Sequence, residues 1–399
     1  SGWGIFSGLG ALYRARGPYH YCPSHAFGVV EDESTPSRAP DMRVVLLPYN
    51  DGVSMTEDFT APCAPTLQRP GDFVIAVVGP TASGKSDLAL DLASALPEFL
   101  ESGAGEIVSA DAFQLYRGMD IGTAKTPLEE RRGIPHHQID VLNVKEEASV
   151  ARYQQAARAD LADIRGRGGL GVVAGGSGLY QRALLDVIDF PGTDPRVRAA
   201  LEAEAEGPSG ARGLHARLES FDPVSASRID PHNTRRIIRA LEVIELTGRP
   251  YSSHMPERLF QRPSIMLAIR HDLEVLDERI RIRTARMFTD GLIEETRELM
   301  RVGLEEGRTA PRATGYAEAI AVVKGEMNED EAQNCVELAT RQLARRQIKW
   351  LRPDPRVFWL EADDPVPLKD RAIALVREAV DAAMERGAVE IAEGDASRE

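Results

Sequence analysis

Eight residues constrain this chain more than any others: Gly79-Pro80-Thr81-Ala82-Ser83-Gly84-Lys85-Ser86. They follow an unbroken apolar run, Phe73 to Val78, and precede a helical pattern from Asp87 to Leu96. An apolar run of that length, closed by glycine, reads as a strand buried on both faces, as in a parallel sheet. A G-x-x-x-x-G-K-S loop between such a strand and a helix aims backbone N–H groups and a helix N-terminus at an anion. Lys85 adds a point charge, and Ser86 is placed to hold Mg²⁺. The motif means phosphate-chain binding. It specifies neither a nucleotide nor hydrolysis.

The surrounding pattern extends the same architecture. Glu106–Ser109 and Gly171–Ala174 read as further short buried strands. Ser149 to Arg167 reads as a helix with Tyr153, Ala157, Leu161 and Ile164 on one stripe. Strand and helix alternate, which predicts an α/β fold: a P-loop NTPase-like core with a central parallel sheet flanked by helices. From Pro191 to about Pro231 strand signals stop and short charged helical stretches take over, so 191–232 is expected to be a small helical insertion. Thr234 to Thr247 reads as a helix closed by Gly248, with Pro250 beyond it. Strands are expected again at Ile265–Ile269 and Val357–Leu360. The core is thus expected over 71–190 and 233–370. A C-terminal helix and acidic tail occupy 371–399, frayed beyond Gly387. Residues 1–70 are rich in Pro, Ser and Gly and lack lysine. They are expected to be a disordered or spurious N-terminal extension, with Val44–Leu47 a lone strand candidate.

Composition narrows the function. No stretch approaches 18 uncharged apolar residues, so no membrane-spanning helix is expected. The three cysteines, Cys22, Cys63 and Cys335, are too far apart for a disulfide framework or zinc spacing, and fit a reducing cytoplasm. Adjacent His136 and His137 lack a third ligand at metal spacing and are expected to be structural. The net charge of −14 at first argues against a nucleic-acid partner. The charge is unevenly placed, however. Glu361 to Glu399 carries 11 acidic against five basic residues. Arg341, Arg345, Lys349 and Arg352 instead recur at helical spacing, flanked by Arg346 and Trp350. Arg235, Arg236 and Arg239 form a second basic cluster.

Asp111 ends the second strand, in Ser109-Ala110-Asp111-Ala112-Phe113-Gln114. Carboxyl ends of strands in such sheets face the ligand crevice. Position alone leaves Asp111 either capping the following segment or serving as a catalytic carboxylate. Arg279, Arg283 and Arg286 share a helix face, which alone reads as a solvated basic surface.

Seven segments in order resemble the tRNA dimethylallyltransferase (tRNA isopentenyltransferase) family: GPTASGKS, SADAFQLYRGMDIGTAK, GIPHHQIDV, VVAGGSGLY, RRIIRALEVIELTGRP, ATGY and TRQLARRQIKWLR. They span about Phe73 to Leu360, in a form similar to actinobacterial members. The resemblance implies transfer of a dimethylallyl group from dimethylallyl diphosphate to the exocyclic amine of the adenosine 3′ to a tRNA anticodon. It implies that Gly79 to Ser86 bind the diphosphate, with Mg²⁺ held by Ser86. It implies Asp111 as general base, with Lys85 and Arg283 at the diphosphate and Arg279 the alternative to Arg283. For tRNA it implies Asp111, Ala112, Phe113, Gln114, Ser177, Arg235, Arg236, Arg239, Gly315, Tyr316, Arg341, Arg345, Arg346, Lys349 and Arg352. A monomer acting on the tRNA anticodon stem-loop is expected, with no membrane partner. Tyr116 and Tyr180 are expected in the core. Ala112 departs from a serine common in the family, Ala317 departs from a common basic residue, and residues 1–70 match nothing in it. The alternatives are an adenylate isopentenyltransferase acting on free AMP, ADP or ATP, and a P-loop small-molecule kinase. The first would not need the insertion or the Arg341–Arg352 stripe, and the second would need a nucleotide-base site and usually lid arginines.

Overall fold

The computed structural model describes residues 67–188, 190–254 and 258–396, all within the unit Leu47–Glu399. The strand expected at Val44–Leu47, and residues 1–66 generally, lie outside the described residues. Leu67 is already buried, so the ordered core reaches slightly before residue 71.

Six strands form one parallel sheet: β1 (Val74–Val78), β2 (Gly105–Ser109), β3 (His136–His137), β4 (Leu170–Ala174), β5 (Ser264–Arg270) and β6 (Val357–Glu361). Their order is β3-β2-β4-β1-β5-β6, and every pairing is parallel. Ile75 of β1 pairs with Val172 on one side and Ile265 on the other. Its neighbours Ala76, Val77 and Val78 are fully buried, as a strand covered by helices on both faces requires. His136 and His137 turn out to be the edge strand. His137 shares the Glu106 carboxylate with Arg167, and no group of three metal-binding side chains occurs among the described residues.

Helices cover the sheet. α1 (Lys85–Phe99) packs on β2 and β4, and α2 (Val150–Gly166) packs its expected stripe against β2 and β4. Ser149 caps α2 by accepting the Arg152 N–H. α3 (Gly178–Leu185) follows β4. The insertion holds α4 (Pro195–Glu206), α5 (Gly210–Phe221) and α6 (Pro223–Arg228). α7 (Thr234–Thr247) supplies Ile237, Ile238, Ala240 and Leu241 to the same apolar cluster as Leu201, Leu214 and Leu218. Gly248 ends α7 in the left-handed conformation, at φ 67°. The chain enters and leaves this unit through adjacent segments. Val187 N–H donates to Leu259 O at 2.9 Å, and Gln261 N–H donates to Leu185 O at 2.7 Å. Buried Arg356 rivets the neck, binding Asp186 Oδ1 at 2.6 Å and Asp354 Oδ2 at 2.8 Å.

After β5 come α8 (Leu273–Thr289), α9 (Leu292–Arg301), α10 (Tyr316–Val323) and α11 (Glu329–Leu351). α8 packs on α11 through Leu276, Ile280 and Ala344. Tyr116, Met119, Leu292 and Tyr316 form a second apolar cluster. Tyr116 and Tyr180 are both buried, as expected. α12 (Leu368–Ala396) packs on α1. It continues past Gly387, where fraying was expected, because the Ala- and Glu-rich sequence that follows has high helix propensity.

Candidate active site

The parallel register aligns the carboxyl ends of three neighbouring strands. Val77, Ala174 and Ser109 lie in one row, so the loops that follow them meet. Ala110 N–H donates to Ala174 O at 2.8 Å, and Ser177 N–H donates to Ala110 O at 3.3 Å. This brings Asp111 beside the phosphate loop.

The loop is strained into shape. Gly79 and Gly84 have φ of 134° and 92°, and Ala82, which is not glycine, sits at 63°. Ala82 to Ser86 find no protein acceptor for their backbone N–H groups among the described residues. Five unclaimed donors around one turn make an anion cradle. Ser83 is buried, and its hydroxyl also lacks a partner. Thr81 departs from expectation. Its N–H donates to Gln347 Oε1 at 2.8 Å and its hydroxyl accepts from Arg283, so its amide is unavailable to a diphosphate.

Three side chains fasten the loop from outside. His271 Nε2–H donates to Ser83 O at 2.9 Å, and Arg279 Nε–H donates to Ala82 O at 2.7 Å. Arg283 reaches Thr81 as above. Arg279 and Arg283 therefore both meet the loop, whereas Arg286 turns to Asp290. Lys85 Nζ donates to Pro80 O at 3.3 Å. Burial, together with the nearby Arg283 guanidinium, pushes the Lys85 ammonium down to about 8, and Asp111 partly offsets this. Burial likewise pushes Arg283 down to about 10, again opposed by Asp111. Two desolvated cations and one carboxylate facing a ring of N–H donors form a site made to receive negative charge.

On the Asp111 side, Oδ1 accepts the Phe113 N–H at 2.9 Å, leaving Oδ2 without a bond among the described residues. Capping and catalysis are thus compatible. Ser177 Oγ accepts the Ala112 N–H at 3.1 Å, which fixes the turn carrying Asp111. Gln114 is a correction. Its Oε1 accepts from the Ser109 hydroxyl at 3.0 Å, and its Nε2 donates to Thr123 O at 3.3 Å. Its amide therefore faces the protein. Tyr316 is also corrected, being fully buried and offering RNA no surface. Its hydroxyl donates to Glu295 Oε1 at 2.6 Å, and Glu295 accepts the N–H groups of Asp120 and Ile121 at 3.0 and 2.8 Å. Tyr316 supports the loop after Asp111 through Glu295. Gly315 caps α10 at φ 98°.

The basic face is narrower than the spacing suggested. Arg341 pairs with Glu337 one turn earlier, and Arg345 reaches Asp277 on α8, at 2.7 Å from Nη2 to Oδ2. Arg346, Lys349 and Arg352 are exposed and have no ion pair among the described residues. Arg239 is held by Glu242, Pro191 O and Gly192 O, leaving Arg235 and Arg236 exposed. Sequence reasoning missed Gln347, His271 and Glu295. All three act on residues far away in the chain, and no local pattern announces them.

A phosphate loop on the central strand of a parallel sheet, with a carboxylate at the next strand end, defines a P-loop protein built to act on a phosphorylated substrate. The chain belongs to the IPP transferase family, whose model matches residues 114–354. It is 52% identical to the tRNA dimethylallyltransferase of Paenarthrobacter aurescens, over 79% of this chain and 98% of that protein. It is 52% identical to the tRNA dimethylallyltransferase of Thermobifida fusca, over 76% and 94%. The crystal structure of the tRNA isopentenylpyrophosphate transferase of Bacillus halodurans aligns with a TM-score of 0.55 at 33% identity, covering 79% of this chain and 98% of that one. A eukaryotic dimethylallyltransferase acting on tRNA shares the fold, with a TM-score of 0.66 at 24% identity over 77% and 79%. No helix among the described residues is long and apolar enough to cross a membrane.

Proposed function

We propose that this protein transfers the dimethylallyl group of dimethylallyl diphosphate to the exocyclic N6 amine of the adenosine 3′ to a tRNA anticodon, releasing diphosphate. The observation that carries the proposal is the pairing of an unclaimed N–H cradle, flanked by Lys85 and Arg283, with a free carboxylate oxygen of Asp111. An allylic diphosphate needs charge stabilisation at its leaving group, and an adenine amine needs a proton acceptor.

The cradle, Lys85 and Arg283 take up the charge that develops on the departing diphosphate. Asp111 Oδ2 orients the amine and accepts its proton as the new C–N bond forms, while Oδ1 stays on the Phe113 amide. Among the described residues no group of three His, Cys, Asp or Glu side chains offers a metal site, so the Ser86 hydroxyl would be the protein group that holds Mg²⁺ beside the diphosphate. That arrangement suits its preference for few protein ligands. Bound there, it would neutralise leaving-group charge. Arg346, Lys349 and Arg352, with Arg235 and Arg236, are the cations left to meet RNA phosphates, which position the loop and make binding salt-dependent. Donor loop, base and basic helix all lie on one chain, so the site as proposed is complete within a monomer, acting in the cytoplasm on its tRNA substrate.

The test uses labelled dimethylallyl diphosphate, Mg²⁺ and either an unmodified anticodon stem-loop or AMP. Label should enter the RNA and not AMP. Asp111→Asn should lower kcat by about 10²–10⁴-fold with little change in the KM for the diphosphate. Label in AMP would make the protein an adenylate isopentenyltransferase, and ATP hydrolysis without transfer would overturn the proposal.

A further inference from the structure

Gln347 spans the two halves of the site. Its Oε1 accepts the Thr81 N–H at 2.8 Å, and its Nε2 donates to Gly176 O at 2.8 Å. The first bond holds the phosphate loop and the second holds the turn between β4 and α3. The next residue of that turn, Ser177, fixes the Ala112 N–H beside Asp111. A continuous path thus runs from Thr81 through Gln347, Gly176, Ser177 and Ala112 to the proposed base. Gly176 is tailored to this contact, since a Cβ there would lie 2.5 Å from Gln347 Nε2.

We infer that Gln347 is a positioning residue that sets the separation between the diphosphate cradle and Asp111, and so acts on the transfer step and not on substrate affinity. The inference rests on the transfer reaction proposed above. A primary amide is suited to this place because one side chain must accept at the loop and donate at the turn. Gln347 also takes the one loop amide that would otherwise compete for the diphosphate, so the leaving group seats on Ala82 to Ser86. Misplacing reacting groups by about 1 Å can cost about 10²-fold in rate.

Single-turnover transfer to the anticodon stem-loop, with KM for both substrates, tests this on the full chain. Gln347→Leu keeps an apolar side chain of moderate bulk in place and loses both bonds. Its transfer rate should fall by about 10–100-fold, with both KM values within about threefold of wild type. Gly176→Ala should displace the amide from the other side and give a similar loss. The double variant should fall short of the product of the two losses, because both remove one interaction. Gln347→Glu gives a readout that a packing role would not move. Its ionised carboxylate faces Gly176 O and cannot donate, whereas the protonated form can both accept and donate as the amide does. Its rate relative to wild type should therefore rise as pH falls.

A folded Gln347→Leu variant with the wild-type transfer rate overturns the inference, as does a loss confined to KM. If Gln347→Leu fails to fold, a wild-type rate in Gly176→Ala overturns it, and so does a Gln347→Glu ratio that is flat with pH. Wild-type protein that transfers no label overturns the proposed function itself, and the inference with it.

Discussion

Lys85 is desolvated beside a second cation, Arg283, and its proton affinity is pushed down from 10.5 to about 8. The lowered value means that the folded protein binds this proton less tightly than the unfolded chain does. Below about pH 8 both states carry it, and the folded state bears the full penalty. Between about pH 8 and 10.5 the folded state sheds it first and the penalty is relieved. Lys85→Met should therefore raise the unfolding free energy at pH 7 by about 1–3 kcal/mol, a gain that shrinks above pH 8. Urea unfolding at pH 7 and 10 checks both parts. The same variant should lose transfer activity, because the charge that costs stability in the loop is the one that receives the diphosphate. For the wild-type protein, kcat/KM for the diphosphate should fall as pH passes about 8.

At the scale of elements, α11 carries two functions on different faces. Ala344 and Ile348 pack toward α8, Gln347 reaches the phosphate loop, and Arg346, Lys349 and Arg352 face solvent. Alanine at any of those three should reduce the slope of log affinity for the stem-loop against log salt by about one. Alanine at Arg341 or Arg345 should leave the slope nearly unchanged, because their charge is already spent on Glu337 and Asp277. Filter binding at several salt concentrations checks this. The contrast shows what a linear chain reveals. Helical spacing placed Arg341, Arg345 and Lys349 on α11 and Arg352 at its C-terminal cap, but Asp277 lies 68 residues from Arg345 and nothing local marks it as a partner. β1 and β4 were legible because strands buried on both faces run apolar, and β2 was legible only from its short Ile107-Val108 pair, because it buries Glu106 against His137 and Arg167. The eight-residue loop was legible because its backbone demands glycine at fixed places. β3 was not, since two histidines at a sheet edge have no hydrophobic pattern to show. Gln114 and Tyr316 entered through family resemblance, which identified residues of the site without distinguishing those that touch substrate from those that hold its walls.

Across the whole molecule, the sheet supplies the chemistry and the helical unit between β4 and β5 is attached to it at one narrow place. Arg356 controls that attachment: its guanidinium lies 4.2 Å from the Phe260 ring centroid and bonds Asp186, so it touches both strands of the neck. Arg356→Met would strand two buried carboxylates with fewer donors, Asp186 keeping Arg182. It should destabilise the protein by about 3 kcal/mol, read from the midpoint of urea unfolding. Because the two neck segments run side by side, one leaving α3 and the other leading into β5, the core closes over the same short gap whatever lies between them. Lineages could lengthen, exchange or shed that segment without re-inventing the catalytic machinery beneath it. The segment beyond the neck can drift in length and surface while selection holds the sheet and its loops constant on the other side.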